Sequence, residues 1–313
     1  MSDKYPDTVV VNRGNQKRLK NVMLRARGGE AVTIGYLGGS ITMGSVATTP
    51  EKCYAYLSCQ WWKEKFPQTR VEYYNAGIGA TTSQFGVARV DEDLLYARPD
   101  LVFIEFSVND ENDAHFQETY EGLVRHVYTS ETLPAVVLIH NSFFSTGVSA
   151  QEVHTAVGRY YDLPCVSIKN NVHARIAAGE LAAETITADD LHPNDAGHAM
   201  LADTIRHFLD GVYAQADSPE PEPAFPARPM TLNRYEHSRR LRNPQLAADS
   251  CRGFTEDHAP QKHMTDIFKC GWEAWEEGAY LEFTMTGSVL AVQYRRTVNK
   301  PAPAARVIVD GDK

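Results

Sequence analysis

The sequence predicts an α/β protein in which five parallel strands form one sheet between helical layers, with a smaller β-rich region after it. Short apolar runs rich in β-branched residues recur with helix-like stretches between them, as strands buried on both faces and joined by helical crossovers require. A proline cluster then interrupts the pattern, and alternating segments follow it. The candidate strands are 32–37, 71–75, 101–106, 135–140 and 165–168. Between the first two, Tyr54, Leu57 and Trp61 fall at helical spacing. Near residue 200, Leu201, Ile205, Phe208 and Leu209 make one stripe while Asp203, Arg206 and Asp210 face away, which predicts the helix that closes the first domain at 217.

Pro219, Pro221, Pro223, Pro226 and Pro229 follow within SPEPEPAFPARP, a composition that resists helix and sheet and reads as a linker over 218–231. The second region, 232–313, is expected to be an antiparallel β unit, with strands at 279–286, 289–294 and 306–309. Asp310 and Gly311 look like a hairpin turn with no returning strand, so this unit is expected to be incomplete in the sequence or to end on an irregular edge.

Composition narrows the function. A chain of 313 residues has room for two folding units. Lys plus Arg number 31 against 40 Asp plus Glu, a net charge of −9, so no basic field invites nucleic acid or an anionic membrane. Five cysteines, at 53, 59, 165, 251 and 270, are too few for a disulfide scaffold and cannot all pair internally, so reduced thiols are expected. No export leader and no apolar run of about 18 residues is visible, which places the expected location in the cytoplasm.

The candidate chemistry starts at Gly38-Gly39-Ser40-Ile41-Thr42, just past the first strand, where open α/β sheets place their ligands. Ser40 is a nucleophile candidate, and equally a helix cap. Asp189 and His192, three apart before the closing helix, could supply a base whose tautomer a carboxylate fixes; a helix start capped by Asn194 or Asp195 explains the same residues without chemistry. A metal cluster of Asp189, Asp190, His192, Asp195 and His198 is the competing reading, but the spacing lacks the paired histidines of a helical zinc site, and His115, His140, His154 and His173 are scattered. Two more segments end at the same sheet rim. Gly79, in NAGIGATTS, and Asn109, in SVND, could donate hydrogen bonds to a tetrahedral oxyanion, joined by the Ser40 N–H; as a turn glycine and a loop residue they have plainer readings. No Gly-x-Ser-x-Gly elbow surrounds Ser40, which argues against an α/β-hydrolase. Trp61, Trp62, Tyr73 and Tyr74 are read as packing residues rather than sugar platforms, and Glu105 is an ionisable group in an apolar strand with no assigned role.

Taken together and in order, GGSIT at 38–42, NAGIGATTS at 75–83, SVND at 107–110 and DLHPND at 190–195 resemble the four blocks of the SGNH hydrolases, the GDSL esterase and lipase superfamily. The resemblance spans about 30–210 and implies a flavodoxin-like three-layer α/β/α domain. It also implies Ser40 as nucleophile, His192 as base, Asp189 as its orienting carboxylate, and Ser40, Gly79 and Asn109 as oxyanion donors, with Gly77 an alternative to Gly79. The family's usual Asp before the serine is Gly39 here, a departure outside the catalytic roles that implies a subgroup. The implied activity is serine ester hydrolysis without metal or organic cofactor, with block two and the appended β region resembling carbohydrate deacetylases. The expected partner is a small-molecule or oligosaccharide ester. The alternatives are a lipase or lysophospholipase-type acylhydrolase, and a carbohydrate-binding protein that keeps the fold without turnover.

Overall fold

The computed structural model describes residues 5, 7–263, 266–295, 298–301 and 304–311. Strands β1 (Val10–Asn12), β2 (Val32–Gly38), β3 (Val71–Gly77), β4 (Leu101–Glu105), β5 (Ala135–His140) and β6 (Cys165–Ser167) form one sheet in the order β1-β6-β5-β4-β2-β3. Strands β2 to β6 pair in parallel and are the five apolar runs of the sequence. Every residue of β4, β5 and β6 is buried, because helices cover both faces and leave no position for a polar alternation. The sequence did not predict β1. It is three half-buried residues long and antiparallel to β6, too short to show any periodicity.

The helices are α1 (Lys17–Arg27), α2 (Ser40–Met43), α3 (Tyr54–Lys65), α4 (Ser83–Asp93), α5 (Ala114–Tyr128), α6 (Gln151–Tyr160), α7 (Ala174–Ala177) and α8 (Asp195–Tyr213). Helices α1, α3 and α8 share a core with one sheet face, where Met23, Trp62, Ile205 and Leu209 meet Ile34, Tyr36, Phe103 and Val137. On the other face α4 packs on α5 and α5 on α6. Trp61 and Trp62 lie in the core beside Phe66, as packing residues should. Tyr73 is half-buried against Tyr36 and Tyr56, and Tyr74 against Tyr96.

The Pro-rich segment is irregular, but it is bound to the sheet domain rather than free of it. Glu220 accepts hydrogen bonds from Arg13 (2.8 Å) and Lys20 (2.7 Å), and Phe225 stacks on Tyr128 and Tyr161 at 5.2 and 5.1 Å. Further on, Arg234 forms a two-point ion pair with Glu118 (2.9 and 2.7 Å). The first compact unit therefore runs to Arg240, beyond the boundary at 217 that the prolines implied, because acidic and aromatic residues between them supply attachment.

The second unit starts at Leu241. In it β7 (Ser250–Arg252) pairs antiparallel with β10 (Tyr280–Glu282), and β8 (Phe254–Glu256) with β9 (Trp272–Ala274). Only part of the expected 279–286 strand forms, and among the described residues 289–294 pairs with no strand. There Leu290 and Val292 are 50% and 55% exposed, so their β-branched or apolar side chains lack the facing strand that would convert propensity into a ladder. Asp310 and Gly311 take φ of 52° and 84°, the left-handed pair a tight hairpin turn uses. Among the described residues no helix is long and apolar enough to cross a membrane.

Candidate active site

The site is built at the carboxyl rim of β2, β3 and β4, all in the first unit. Strand β2 ends at Gly38, and Ser40, a buried residue, opens the single turn α2. Backbone must come very close here. A Cβ at Gly38 would lie 2.1 Å from Thr42 Oγ1, and one at Gly77 would lie 2.2 Å from Met43 N, so glycine at both strand ends lets α2 sit on the sheet. Asn75 locks that contact, donating from Nδ2 to Thr42 O (2.7 Å) and accepting from Gly77 N (2.9 Å). Arg89, fully buried on α4, reaches Gly38 O at 3.2 Å.

Ser40 Oγ is 2.9 Å from His192 Nε2, and His192 Nδ1 is 2.6 Å from Asp189 Oδ2. The three groups come from opposite ends of the domain sequence, yet form one hydrogen-bonded line. Asp189 Oδ1 accepts from the backbone N–H groups of His192 (2.7 Å) and Leu191 (3.1 Å), so the carboxylate is held from both sides. Burial pushes the Asp189 carboxyl up, but the His192 ring and these amides outweigh it and hold it well below the usual carboxylate range. A permanently ionised carboxylate keeps the proton of the neutral imidazole on Nδ1, leaving Nε2 free to accept from a serine hydroxyl.

The other members of the DLHPND block have structural work. Asp190 accepts from Ser145 N and Oγ (both 2.7 Å), fixing the block to the loop after β5. Asn194 caps α8 by accepting from Gly197 N. Asp195 accepts from Thr48 and Lys52, and these bonds hold its carboxyl down to about 2. His198 is buried between Tyr54 N (3.2 Å) and Ser45 O (3.3 Å), and burial lowers it to about 4. Among the described residues no group of three or more His, Cys, Asp or Glu is arranged to hold a metal ion.

Gly79 and Asn109 flank the serine. A Cβ at Gly79 would stand 3.7 Å from Ser40 Cβ, and one at Gly39 would stand 2.1 Å from Asn109 Oδ1. The N–H of Gly77 is taken by Asn75 and that of Ile78 by Gly38 O (3.0 Å), so Gly79 carries the first backbone donor after β3 not committed to holding the strand end. Gly39 is explained by the same geometry: any side chain there would displace the Asn109 carboxamide. Gly39→Ala is expected to lower kcat about 100-fold with the fold intact, as loss of one aimed donor does; unchanged kcat in steady-state assays would remove Asn109 from the site.

Glu105, unassigned by the sequence, is fully buried at the end of β4. Its Oε1 accepts from Ser107 N (3.0 Å) and Ser107 Oγ (2.8 Å), and Ser107 Oγ accepts from Asn141 N (2.7 Å). Burial raises its carboxyl to about 7 despite the Ser107 donors. The folded protein thus keeps a proton that the unfolded chain loses near 4.5, and stability falls as pH climbs from 4.5 to about 7. The loss amounts to about 3 kcal/mol. Glu105→Gln is expected to gain stability over the wild type at pH 8 and to lose that advantage at pH 5, read by urea unfolding at both; an equal difference at the two pH values would contradict this origin.

A doubly wound sheet with a serine, histidine and aspartate in line at its carboxyl rim is the arrangement that a serine hydrolase of the SGNH type requires. Residues 36–200 match the family model of the GDSL-like lipase/acylhydrolases, and the chain belongs to that family as an SGNH serine esterase. Among solved structures, it is similar to a two-domain esterase active on acetylated mannans, at 51% identity over 87% of this chain and 73% of that one, with TM-score 0.84. The same esterase co-crystallised with mannopentaose gives 0.83 at 51% identity, over 87% and 72% of the two chains. An acetyl-xylooligosaccharide esterase from Geobacillus stearothermophilus shares the fold at 18% identity and TM-score 0.50, over 58% of this chain and 95% of that one. No curated protein matches the chain in sequence.

Proposed function

We propose that the protein removes short acyl groups, acetyl above all, from carbohydrate esters through an acyl-enzyme. Ser40 Oγ attacks the ester carbonyl while His192 Nε2 takes its proton and passes it to the leaving sugar oxygen. Water then attacks the acyl-Ser40 carbonyl with His192 as base again, the Oγ–acyl bond breaks to free the acid, and His192 returns the proton to Ser40 Oγ. The N–H groups of Ser40 and Gly79 and the Asn109 amide receive the oxyanion in both steps. The observation that carries the reading is the 2.9 Å and 2.6 Å line from Ser40 through His192 to Asp189 in a chain 51% identical to an esterase active on acetylated mannans. The His192 and Asp189 side chains are 23% and 50% exposed, which suits an alcohol too bulky to be enclosed. In this reading the first unit holds all the chemistry and the second is an accessory β unit.

The test is a series of p-nitrophenyl esters from acetyl to octanoyl, run beside acetylated manno- and xylo-oligosaccharides. The expected result is a kcat/KM that falls steeply beyond acetyl, about tenfold or more by butanoyl, with acetate released from the manno-oligosaccharides. Rates that rise with chain length would make this an acylhydrolase of lipids instead.

A further inference from the structure

The turn after β4 that presents Asn109 rests on a buried pair of groups to which the ester chemistry gives no part. Asn109 N and Asp110 N both donate to Phe106 O, at 3.0 and 2.9 Å, so the two side chains leave one tight turn in different directions. The Asn109 carboxamide lies against Gly39 beside the serine, whereas the Asp110 side chain turns into the protein and is 0% exposed. One Asp110 oxygen accepts from Ser83 N, the first residue of α4, at 2.9 Å. The other faces Nε2 of His154 on α6 at 3.1 Å, also 0% exposed. Since a carboxylate only accepts, Nε2 is the donor. The His154 ring cannot swing, because it lies flat on Tyr120 of α5 with centroids 3.5 Å apart and planes 6° off parallel. The start of α6 is tied to the same turn, with Ala150 N donating to Ser107 O at 2.7 Å and His154 N to Ala150 O at 3.1 Å.

Two helices on one sheet face thus hold one carboxylate, with a third, α5, packed behind the histidine, and the chain neighbour of that carboxylate is the proposed side-chain donor beside Ser40. A buried carboxylate is costly unless its oxygens are met by donors, and here each oxygen is met by a donor from a different helix. An arrangement of that cost is better suited to fixing a direction than to adding stability. We infer that Asp110, clamped between Ser83 and His154, is a positioning residue that aims the Asn109 amide at the oxyanion. The inference rests on the reading of Asn109 given under Proposed function. Misplacement by about 1 Å is enough to cost about 100-fold in rate, so loss of the clamp acts on kcat rather than on substrate binding.

The experiment is a double-mutant cycle on p-nitrophenyl acetate, with folding checked by circular dichroism. Asp110→Ala is expected to lower kcat about 100-fold and Asp110→Asn about tenfold, with KM within about threefold of wild type. In an Asn109→Ala background, either change is expected to cost less than about threefold more. Should Asp110→Ala fail to fold, Asp110→Asn carries the cycle alone. A loss that multiplies in full on top of Asn109→Ala, or that falls on KM alone, would overturn the positioning role. If Asn109→Ala costs about 100-fold while Asp110→Asn costs nothing, only this inference fails. If Asn109→Ala itself leaves kcat unchanged, the oxyanion reading falls and takes this one with it.

Discussion

Ser40→Ala is expected to reduce p-nitrophenyl acetate turnover by about 10⁴-fold or more while leaving the unfolding temperature within a few degrees of wild type. The size follows from chemistry. On the proposed mechanism no acyl-enzyme forms without the hydroxyl, and what remains is water attack aided only by the proposed oxyanion donors and by binding, which in serine hydrolases retains about 10³- to 10⁴-fold over the uncatalysed reaction. The small effect on stability follows from the surroundings: among the described residues Ser40 Oγ bonds only to His192 Nε2, and the α2 turn is secured instead by Asn75, Gly38 and Gly77. Electrospray mass spectrometry after a brief acetate-ester pulse gives an independent reading. The wild type is expected to carry one acetyl group on the peptide containing Ser40, and the variant none. A variant that keeps a tenth of wild-type activity would remove Ser40 from the chemistry.

The same contrast shows what the sequence could and could not reveal. The parallel strands were legible because burial on both faces leaves long apolar runs, as at Ala135–His140. The candidate site was legible only in combination, since Gly38-Gly39-Ser40 and Asp189 to His192 each describe an ordinary helix start, and it is the sheet that brings residues 152 positions apart to 2.9 Å. The residues that hold the site were not legible. Asn75, Arg89 and Asp110 act through backbone atoms or buried partners on other helices, and no local pattern records which carbonyl or amide a side chain will meet. The Pro-rich segment misled for a related reason: prolines forbid helix and sheet but say nothing of whether Glu220 or Phe225 finds a partner on the domain they follow. In the second unit β-branched residues at 289–294 overstated the sheet, because a strand is completed only by its neighbour.

Asp189→Asn is the sharper test of the proposed mechanism, because it changes one proton's position and almost nothing else. Asp189 Oδ1 receives two backbone N–H groups, from His192 and Leu191, so an asparagine must place its carbonyl oxygen there to avoid setting donor against donor. Its NH₂ then faces His192 Nδ1, 2.6 Å away in the wild type, and donates to it. The imidazole proton is thereby moved to Nε2, where it points at Ser40 Oγ, and a nitrogen that carries a proton cannot take another from the serine. The expected loss in kcat at neutral pH is about 10³- to 10⁴-fold with KM little changed. Asp189→Ala, which leaves the tautomer free, is expected to lose less rate than Asp189→Asn if tautomer control is the dominant role. If instead the carboxylate acts mainly by its charge on the forming imidazolium, the two variants will lose the same rate. Nitrogen-15 spectra of the His192 ring, compared between wild type and Asp189→Asn, report which nitrogen holds the proton and so decide between these roles without reference to rate.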